Sequence, residues 1–170
     1  MDMKRSYLTW EDVGPLCNNV IAQMIDQSWT PTVVVGITRG GLTPAAMISH
    51  YLNVPMCSLD VSLRDNTGPF GGPTHTWIPE EIANDHRILV VDDINDSGAT
   101  FEWIRDDWAN SVQFTEPKAY DWPWSHIKFA ALVHNDASRQ TTDFVGMRIN
   151  KAKDPSWICF PWETWFADLR

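Results

Sequence analysis

Residues 88–100, Ile-Leu-Val-Val-Asp-Asp-Ile-Asn-Asp-Ser-Gly-Ala-Thr, constrain this chain more than any other stretch. Four apolar, mostly β-branched residues follow one another with no polar alternation. That is the pattern of a strand covered on both faces, as in a parallel sheet. The run stops at two adjacent carboxylates, Asp92 and Asp93. A third, Asp96, follows, then the small residues Ser97, Gly98, Ala99 and Thr100, then Phe101, Trp103 and Ile104 in a helix-like segment. Strand, acidic turn and helix start make a site in open parallel sheets, where ligands sit beyond the carboxyl ends of the strands. Successive amides of residues 97–100 would point out of the helix start, where the dipole also favours an anion, which suits a phosphate. An acidic pair after a strand also occurs as a plain solvated turn, so this stretch needs support from the rest of the chain.

Thr9-Trp10-Glu11-Asp12 reads as a helix start, with Thr9 as the cap and an acidic first turn. Val13, Leu16, Val20, Ile21, Met24 and Ile25 recur at helical spacing, and the helix should end before Pro31. Residues 32–37, Thr-Val-Val-Val-Gly-Ile, form a second unbroken apolar strand. Thr38, Arg39, Gly40 and Gly41 follow, then a helix through Pro44, Ala45, Ala46, Met47, Ile48 and Leu52. The two glycines let backbone amides approach a ligand closely. Arg39 offers a bidentate fork for phosphate oxygens. A simple tight turn would look the same.

Met56 to Leu63 reads as a third strand. Residues 64–76 then form a long Gly/Pro/polar stretch without periodicity, holding Arg64 and His75. Loops of this length are either functional or tolerated surface insertions. After the central stretch come a helix over Thr100–Trp108, an irregular segment over Phe114–Ser125, and a buried strand over Phe129–Val133. Strands alternating with helices predict an α/β fold, an open, mostly parallel twisted sheet flanked by helices, with right-handed crossovers. No repeat and no second domain is visible, so residues 1–170 read as one domain.

A net charge of −9, with no basic run, argues against a nucleic-acid or acidic-membrane surface. It leaves anionic small molecules open, because a few local donors and a metal outweigh the overall field. Cys17, Cys57 and Cys159 lie far apart with no metal or redox spacing, as expected of buried reduced thiols in a cytoplasmic protein. No signal-peptide apolar region and no run of membrane-spanning length is present. The glycine-rich nucleotide loops Gly-x-x-x-x-Gly-Lys-Ser/Thr and Gly-x-Gly-x-x-Gly are missing, as is the Gly-x-Ser-x-Gly elbow.

The central stretch resembles the ribose-phosphate-binding signature of the type I phosphoribosyltransferases: apolar run, two acids, a short spacer, then Asp-Ser/Thr-Gly-x-Thr. Every position of that signature is filled. Thr38-Arg39-Gly40-Gly41 resembles the pyrophosphate loop of the xanthine-guanine and hypoxanthine branch, in which a non-proline cis peptide is common. Trp157-Ile158-Cys159-Phe160-Pro161-Trp162-Glu163 resembles the branch's C-terminal segment, where the first aromatic stacks on the purine and the next residue's backbone reads the base edge. Taken alone, Trp157 and Trp162 would serve equally as packing; the resemblance favours Trp157 for stacking and leaves Trp162 structural.

The resemblance implies a small hood, a mobile loop at about residues 64–80 that closes over the reacting centre, and a base-binding segment at about 134–165. It implies transfer of ribose 5-phosphate from phosphoribosyl pyrophosphate to guanine, xanthine or hypoxanthine, in cytoplasmic purine salvage. Asp92 and Asp93 would hold the ribose hydroxyls and Mg²⁺, directly or through water. Ser97, Gly98, Ala99 and Thr100 would anchor the 5-phosphate. Thr38, Arg39, Gly40 and Gly41 would take the pyrophosphate, with Arg39 assisting its departure. Asp96 stands at the general-base position, though it also suits a helix N-cap. Dimers or tetramers are common in the family, so a homodimer or homotetramer is implied.

One position departs from the pattern. The branch usually has a lysine after its penultimate long strand, contacting the 6-oxygen of the base, and here Asn135 takes that place within Val133-His134-Asn135-Asp136. An amide donates or accepts where an ammonium only donates. Asn135, or His134 beside it, would then serve a 6-oxo, 6-amino or modified purine, unless both are simply buried polar residues. The altered position also keeps open a regulator of this fold that binds nucleotide or phosphoribosyl pyrophosphate without turnover, and an enzyme for adenine.

Overall fold

The unbroken apolar runs of the sequence become the middle of a parallel sheet. The computed structural model describes residues 4–61, 86–111 and 124–166. The expected mobile loop at 64–80, with Arg64 and His75, and most of the irregular segment at 114–125 lie outside the described residues.

The chain runs β1 (Lys4–Tyr7), α1 (Trp10–Asp26), β2 (Val33–Ile37), α2 (Leu42–Leu52), β3 (Met56–Leu59), β4 (Ile88–Asn95) and α3 (Ala99–Ser111). A short 3-10 turn (Trp124–His126) leads into β5 (Ile127–Asn135), β6 (Phe144–Ile149), β7 (Ser156–Cys159) and α4 (Pro161–Thr164). Among the described residues, five strands form one sheet in the order β3-β2-β4-β5-β6, and every neighbouring pair is parallel. A separate two-stranded parallel sheet joins β1 to β7, bringing together residues from the two ends of the chain.

Each face of the main sheet carries its own apolar layer, because alternate residues of a strand point to opposite sides. Val34, Leu89, Val91, Ala130 and Leu132 pack with α1 residues Val13, Leu16, Val20 and Met24, and with Ala45 and Ile48 of α2. Val35, Val90, Phe129 and Ala131 pack on the other side with Phe101, Ile104 and Trp108 of α3. Helix α1 starts where expected: the Asp12 carboxylate accepts from both the N–H and the hydroxyl of Thr9, each at 2.7 Å. Ile25, read as part of its apolar face, instead lies exposed, since the periodic stripe ends at Met24 before the helix does. The three cysteines are free thiols; Cys17 and Cys159 are buried and Cys57 is half-buried. Burial pushes the Cys17 and Cys57 thiols up to about 11, which keeps both unreactive.

The sequence reading missed β1, β6 and β7. Strand β6 is joined to its parallel neighbour β5 by only residues 136–143, which double back along the sheet without a helix. A periodicity scan expects a helical crossover between parallel strands and does not look for a strand so soon.

Phe101 is 1 % exposed, with its ring 4.9 Å from that of Phe129, between α3 and the sheet. Phe101→Ala is expected to cost about 3–5 kcal/mol of unfolding free energy, read by urea denaturation. A loss below about 1 kcal/mol would mean that α3 does not close this face of the sheet.

Candidate active site

All five strands of the main sheet run the same way, so their carboxyl ends share one edge. From β2 the chain moves outward to β3 and then returns to the other side of β2 as β4. The order therefore reverses between β2 and β4, and adjacent loops leave in opposite directions to open a crevice. Residues 38–41 leave β2 and residues 96–98 leave β4 at that place.

The first loop lies flush against the end of β4. A Cβ on Gly40 would run into the Asp93 carboxylate, and one on Gly41 into the Val91 carbonyl oxygen. Both glycines are thus required by close approach. The Thr38–Arg39 peptide is cis, as the resemblance implies. The Thr38 hydroxyl donates to Asp60 Oδ1 at 2.9 Å, and the Gly41 N–H to the Ile37 carbonyl at 2.9 Å. Arg39 is exposed at the loop's tip. Asp60 was not singled out in the sequence; an acid directly after an apolar strand was the available signal.

Asp92 and Asp93 lie on β4 itself and not in a turn after it. The ladder with β2 stops at Gly36–Val91, but the ladder with β5 continues through Asp92–Ala131, Ile94–Val133 and Asn95–His134. The strand is held to its end on one side only, which fixes the backbone that carries the two acids beside the crevice. Burial, with the neighbouring Asp93 charge adding to it, drives the Asp92 carboxyl well above the usual carboxylate range. Burial raises Asp93 to about 6, and the charge of Glu163 contributes. Among the described residues no lysine or arginine forms an ion pair with either acid. No cluster of three or more His, Cys, Asp or Glu capable of holding a metal occurs among them.

The second loop is shaped from behind. Gly98 has φ +88°, a left-handed conformation that glycine alone adopts without strain. A Cβ there would also meet the Gln140 nitrogen at 2.7 Å and Ser138 Oγ at 2.8 Å. The doubled-back segment 136–143 therefore walls this loop. The Arg139 N–H donates to the Ser97 carbonyl at 3.1 Å, and its guanidinium meets Glu102 on α3 at 2.9 Å. Ser97 is exposed, and Ala99 and Thr100 are half-buried at the start of α3. The Ala99 N–H donates to Ser97 Oγ at 3.3 Å. Asp96 does not cap this helix: its carboxylate is engaged elsewhere.

Lys151, in the turn between β6 and β7, donates from Nζ to Asp96 Oδ2 at 2.6 Å. Asn135 Nδ2 donates to Asp96 Oδ1 at 3.0 Å and to the Asp96 carbonyl at 3.1 Å. Asn135 Oδ1 accepts from the backbone N–H groups of Ala137 and Lys151, at 3.2 and 3.0 Å. Asn135 is 5 % exposed, so its amide is spent on holding Asp96 and the Lys151 turn in place. The base-edge contact expected of Asn135 would have to be made alongside these, since both ends of the amide have protein partners. His134 is also buried, with Nδ1 2.9 Å from Thr142 Oγ1. Burial, with Arg148 adding to it, holds its pKa below the ordinary value.

Trp157 is 47 % exposed on β7, with Lys151 Nζ 5.8 Å from its ring centroid. Ile158 turns inward to the α1 side of the core. Trp162 stacks on Phe160 with centroids 4.9 Å apart and meets Trp10 at 5.9 Å, a packing role. Glu163 Oε2 accepts from the Phe160 N–H at 2.9 Å. Lys151 was missed in the sequence, where it is one lysine in a polar turn; only the fold brings it to Asp96.

The family model described as the phosphoribosyl transferase domain matches residues 5–165. A xanthine-guanine phosphoribosyltransferase of Cereibacter sphaeroides is 32 % identical, over 76 % of this chain and 68 % of that protein. Xanthine phosphoribosyltransferase 1 of Saccharomyces cerevisiae is 18 % identical over 94 % of this chain and 90 % of that one. Among solved structures, a purine phosphoribosyltransferase from Pyrococcus horikoshii superposes with a TM-score of 0.67 at 26 % identity, covering 95 % of each chain.

The raised acids make a pH prediction. A carboxyl lifted from 3.8 to about 6 binds its proton more tightly when folded, so its stabilisation is complete below pH ~4 and is lost as pH rises through 6. Asp93→Asn should therefore gain melting temperature relative to the native chain between pH ~4 and ~6.5, with the gain levelling off above. A gain independent of pH, or one that grows toward acid, would contradict the burial of this pair.

Proposed function

The chain belongs to the phosphoribosyl transferase domain family, and on that premise we propose that it transfers ribose 5-phosphate from phosphoribosyl pyrophosphate to a 6-oxopurine. Guanine, xanthine or hypoxanthine would become the nucleoside monophosphate, with release of pyrophosphate, in purine salvage in the cytoplasm. One observation carries the reading: two glycine-bearing loops flank a desolvated acid pair where the strand order reverses. The names of the similar proteins support the purine.

The Gly98 loop and the first amides of α3 would bind the 5-phosphate at one end of the ribose. The backbone of residues 38–41 and the Arg39 guanidinium would bind the pyrophosphate at the other. Asp92 and Asp93 would accept from the two ribose hydroxyls between them. Anchored at both ends, the anomeric carbon is held against the acceptor ring, which lowers the entropic part of the barrier.

Two adjacent, desolvated carboxylates with no cationic partner among the described residues are hard oxygen donors of the kind Mg²⁺ takes. The residues therefore fit the ion the family implies, and Asp92 and Asp93 would hold it directly or through water. When bound it supplies positive charge to the departing pyrophosphate.

In the transition state the ribose carbon gains positive charge and the leaving oxygen negative charge. The acid pair sits beside the first and Arg39 beside the second. A purine nitrogen attacks as the carbon–oxygen bond to pyrophosphate breaks, and Asp96 Oδ2 accepts the proton that the ring must lose. Trp157 offers the exposed aromatic face on which the ring stacks. A second reading, binding without turnover, draws on the Lys151 ammonium that occupies Asp96.

Pyrophosphate release is to be measured from phosphoribosyl pyrophosphate, Mg²⁺ and each of guanine, xanthine, hypoxanthine and adenine. Release with a 6-oxopurine, abolished by chelation, is expected. Asp96→Asn should lower kcat by about 10²–10⁴-fold while phosphoribosyl pyrophosphate affinity changes by less than about threefold. Equal losses in both would remove Asp96 as the base. Binding with no release from any base would favour the second reading.

A further inference from the structure

We propose that His134 is a positioning residue for the 5-phosphate: its unprotonated Nδ1 ends a buried hydrogen-bond chain that holds residues 138–140 against the Gly98 loop, and a proton on that nitrogen loosens the loop. The inference rests on the reading above that residues 97–100 anchor the phosphate.

The bonds of this chain run in one direction only. The Ser138 hydroxyl donates to Asn95 Oδ1 at 2.9 Å. Asn95 Nδ2 donates to the Gln140 carbonyl at 2.8 Å and to Thr142 Oγ1 at 2.9 Å. A carbonyl only accepts, so Gln140 fixes which end of the Asn95 amide faces it. Thr142 Oγ1 already accepts and has its own proton to give, and His134 Nδ1 lies 2.9 Å away. Asn95 Nδ2 also stands 3.3 Å from that nitrogen. Two donors converge on Nδ1, which is therefore the lone-pair nitrogen of the ring. Asn95, His134 and Thr142 are all buried, so a lost partner is not made good from bulk water.

The chain reaches the phosphate loop through the segment that walls it. A Cβ on Gly98 would lie 2.7 Å from the Gln140 nitrogen and 2.8 Å from Ser138 Oγ, so these two residues back the loop directly. Between them, the Arg139 N–H donates to the Ser97 carbonyl at 3.1 Å. A proton on Nδ1 would meet the Asn95 amide and the Thr142 hydroxyl donor to donor. Thr142 can turn its proton away, but Asn95 cannot reverse while the Gln140 carbonyl accepts from it. Relief comes from moving residues 138–142 off the ring, and Gly98 then loses its backing. The amides of residues 97–100 would have to be ordered by the ligand, which weakens binding. Residues 38–41, at the other end of the crevice, take no part in these bonds.

The surrounding charges keep the proton off at neutral pH. Opposite His134 on β6 stands Arg148, paired with Asp136 at 3.0 Å. In the doubled-back segment Arg139 turns to Glu102 of α3, and Asp143 to the Phe129 N–H. On β4 the neighbour Asn95 is neutral, and Asp96 beyond it is held by Lys151 and Asn135. Burial and Arg148 oppose protonation, and Asp136 only partly offsets them, so the ring charges below the ordinary imidazole range.

The experiment compares the native chain with His134→Asn, which puts a non-titrating acceptor near the place of Nδ1, and with His134→Leu, which offers none. Calorimetry measures binding of ribose 5-phosphate, and separately of pyrophosphate with Mg²⁺, from about pH 5 to about pH 8. At neutral pH His134→Leu should bind ribose 5-phosphate about tenfold more weakly, and His134→Asn should recover most of that loss. Pyrophosphate affinity should move less than about twofold in both, which also shows that they are folded. As pH falls, the native chain should lose ribose 5-phosphate affinity relative to His134→Asn by up to about tenfold, with no such divergence for pyrophosphate. The phosphate and Asp93 titrate in the same range in all three proteins, so the divergence isolates His134. Parallel pH profiles for the native chain and His134→Asn, or equal losses of both ligands in His134→Leu, would overturn the proposal. So would a native chain that does not bind ribose 5-phosphate. If no base supports pyrophosphate release but ribose 5-phosphate affinity depends on His134 in this way, transfer fails as the function while the positioning role stands.

Discussion

Two carboxylates stand side by side on a buried strand, and the crevice is built around what that costs. Desolvation and mutual repulsion both raise the free energy of the charged pair, and no basic side chain among the described residues forms an ion pair to offset it. The sheet tolerates this because β4 is apolar on both faces up to Val91 and is held by β5 beyond it. Gly40 brings backbone, and no side chain, against Asp93. The arrangement is a poor one for stability and a good one for gripping hydroxyl groups and a cation, which is how strain of this kind is used in binding sites.

Behind the pair, a buried polar network fixes the second loop. The Asn95 amide donates to the Gln140 carbonyl at 2.8 Å and to Thr142 Oγ1 at 2.9 Å, and its oxygen accepts from Ser138 Oγ at 2.9 Å. His134 Nδ1 closes the network at Thr142, an arrangement satisfied when that nitrogen is unprotonated. Burial keeps the imidazole neutral and so supports it. Because each member is partnered, the network stiffens the wall against which Gly98 is pressed, and the amides of the following helix start inherit that rigidity. Preorganised amides bind an anion without the cost of ordering a loop.

Much of this was legible in the sequence, for physical reasons. Unbroken apolar runs identify strands covered on both faces, so β2, β4 and the core of β5 were placed from residues 32–37, 88–91 and 129–133 alone. Short motifs placed both loops, because glycine at a close approach has no substitute. Periodicity could not see how far β4 extends, since Asp92 and Asp93 belong to the strand only through their ladder with β5. Nor could it see β6, which follows β5 after only residues 136–143, or the pairing of β1 with β7 across the length of the chain. Asn135 was singled out in the sequence, but its contacts within the protein, which use both ends of its amide, carried no local signal. Lys151 carried no local signal at all. Its meaning comes from a 2.6 Å approach to a residue 55 positions away.

A single ribose-phosphate cradle, made of two loops and one acid pair at the reversal between β2 and β4, is what the proposed transfer requires. A crystal structure with an unreactive analogue of phosphoribosyl pyrophosphate and Mg²⁺ would reveal whether it exists. The 5-phosphate is expected within hydrogen-bond reach of the amides of residues 97–100, and the pyrophosphate against residues 38–41. The ribose hydroxyls should lie on the side of Asp92 and Asp93. A ligand bound elsewhere, or one whose phosphates touch only one of the two loops, would mean that the loops and the acids do not act as one site.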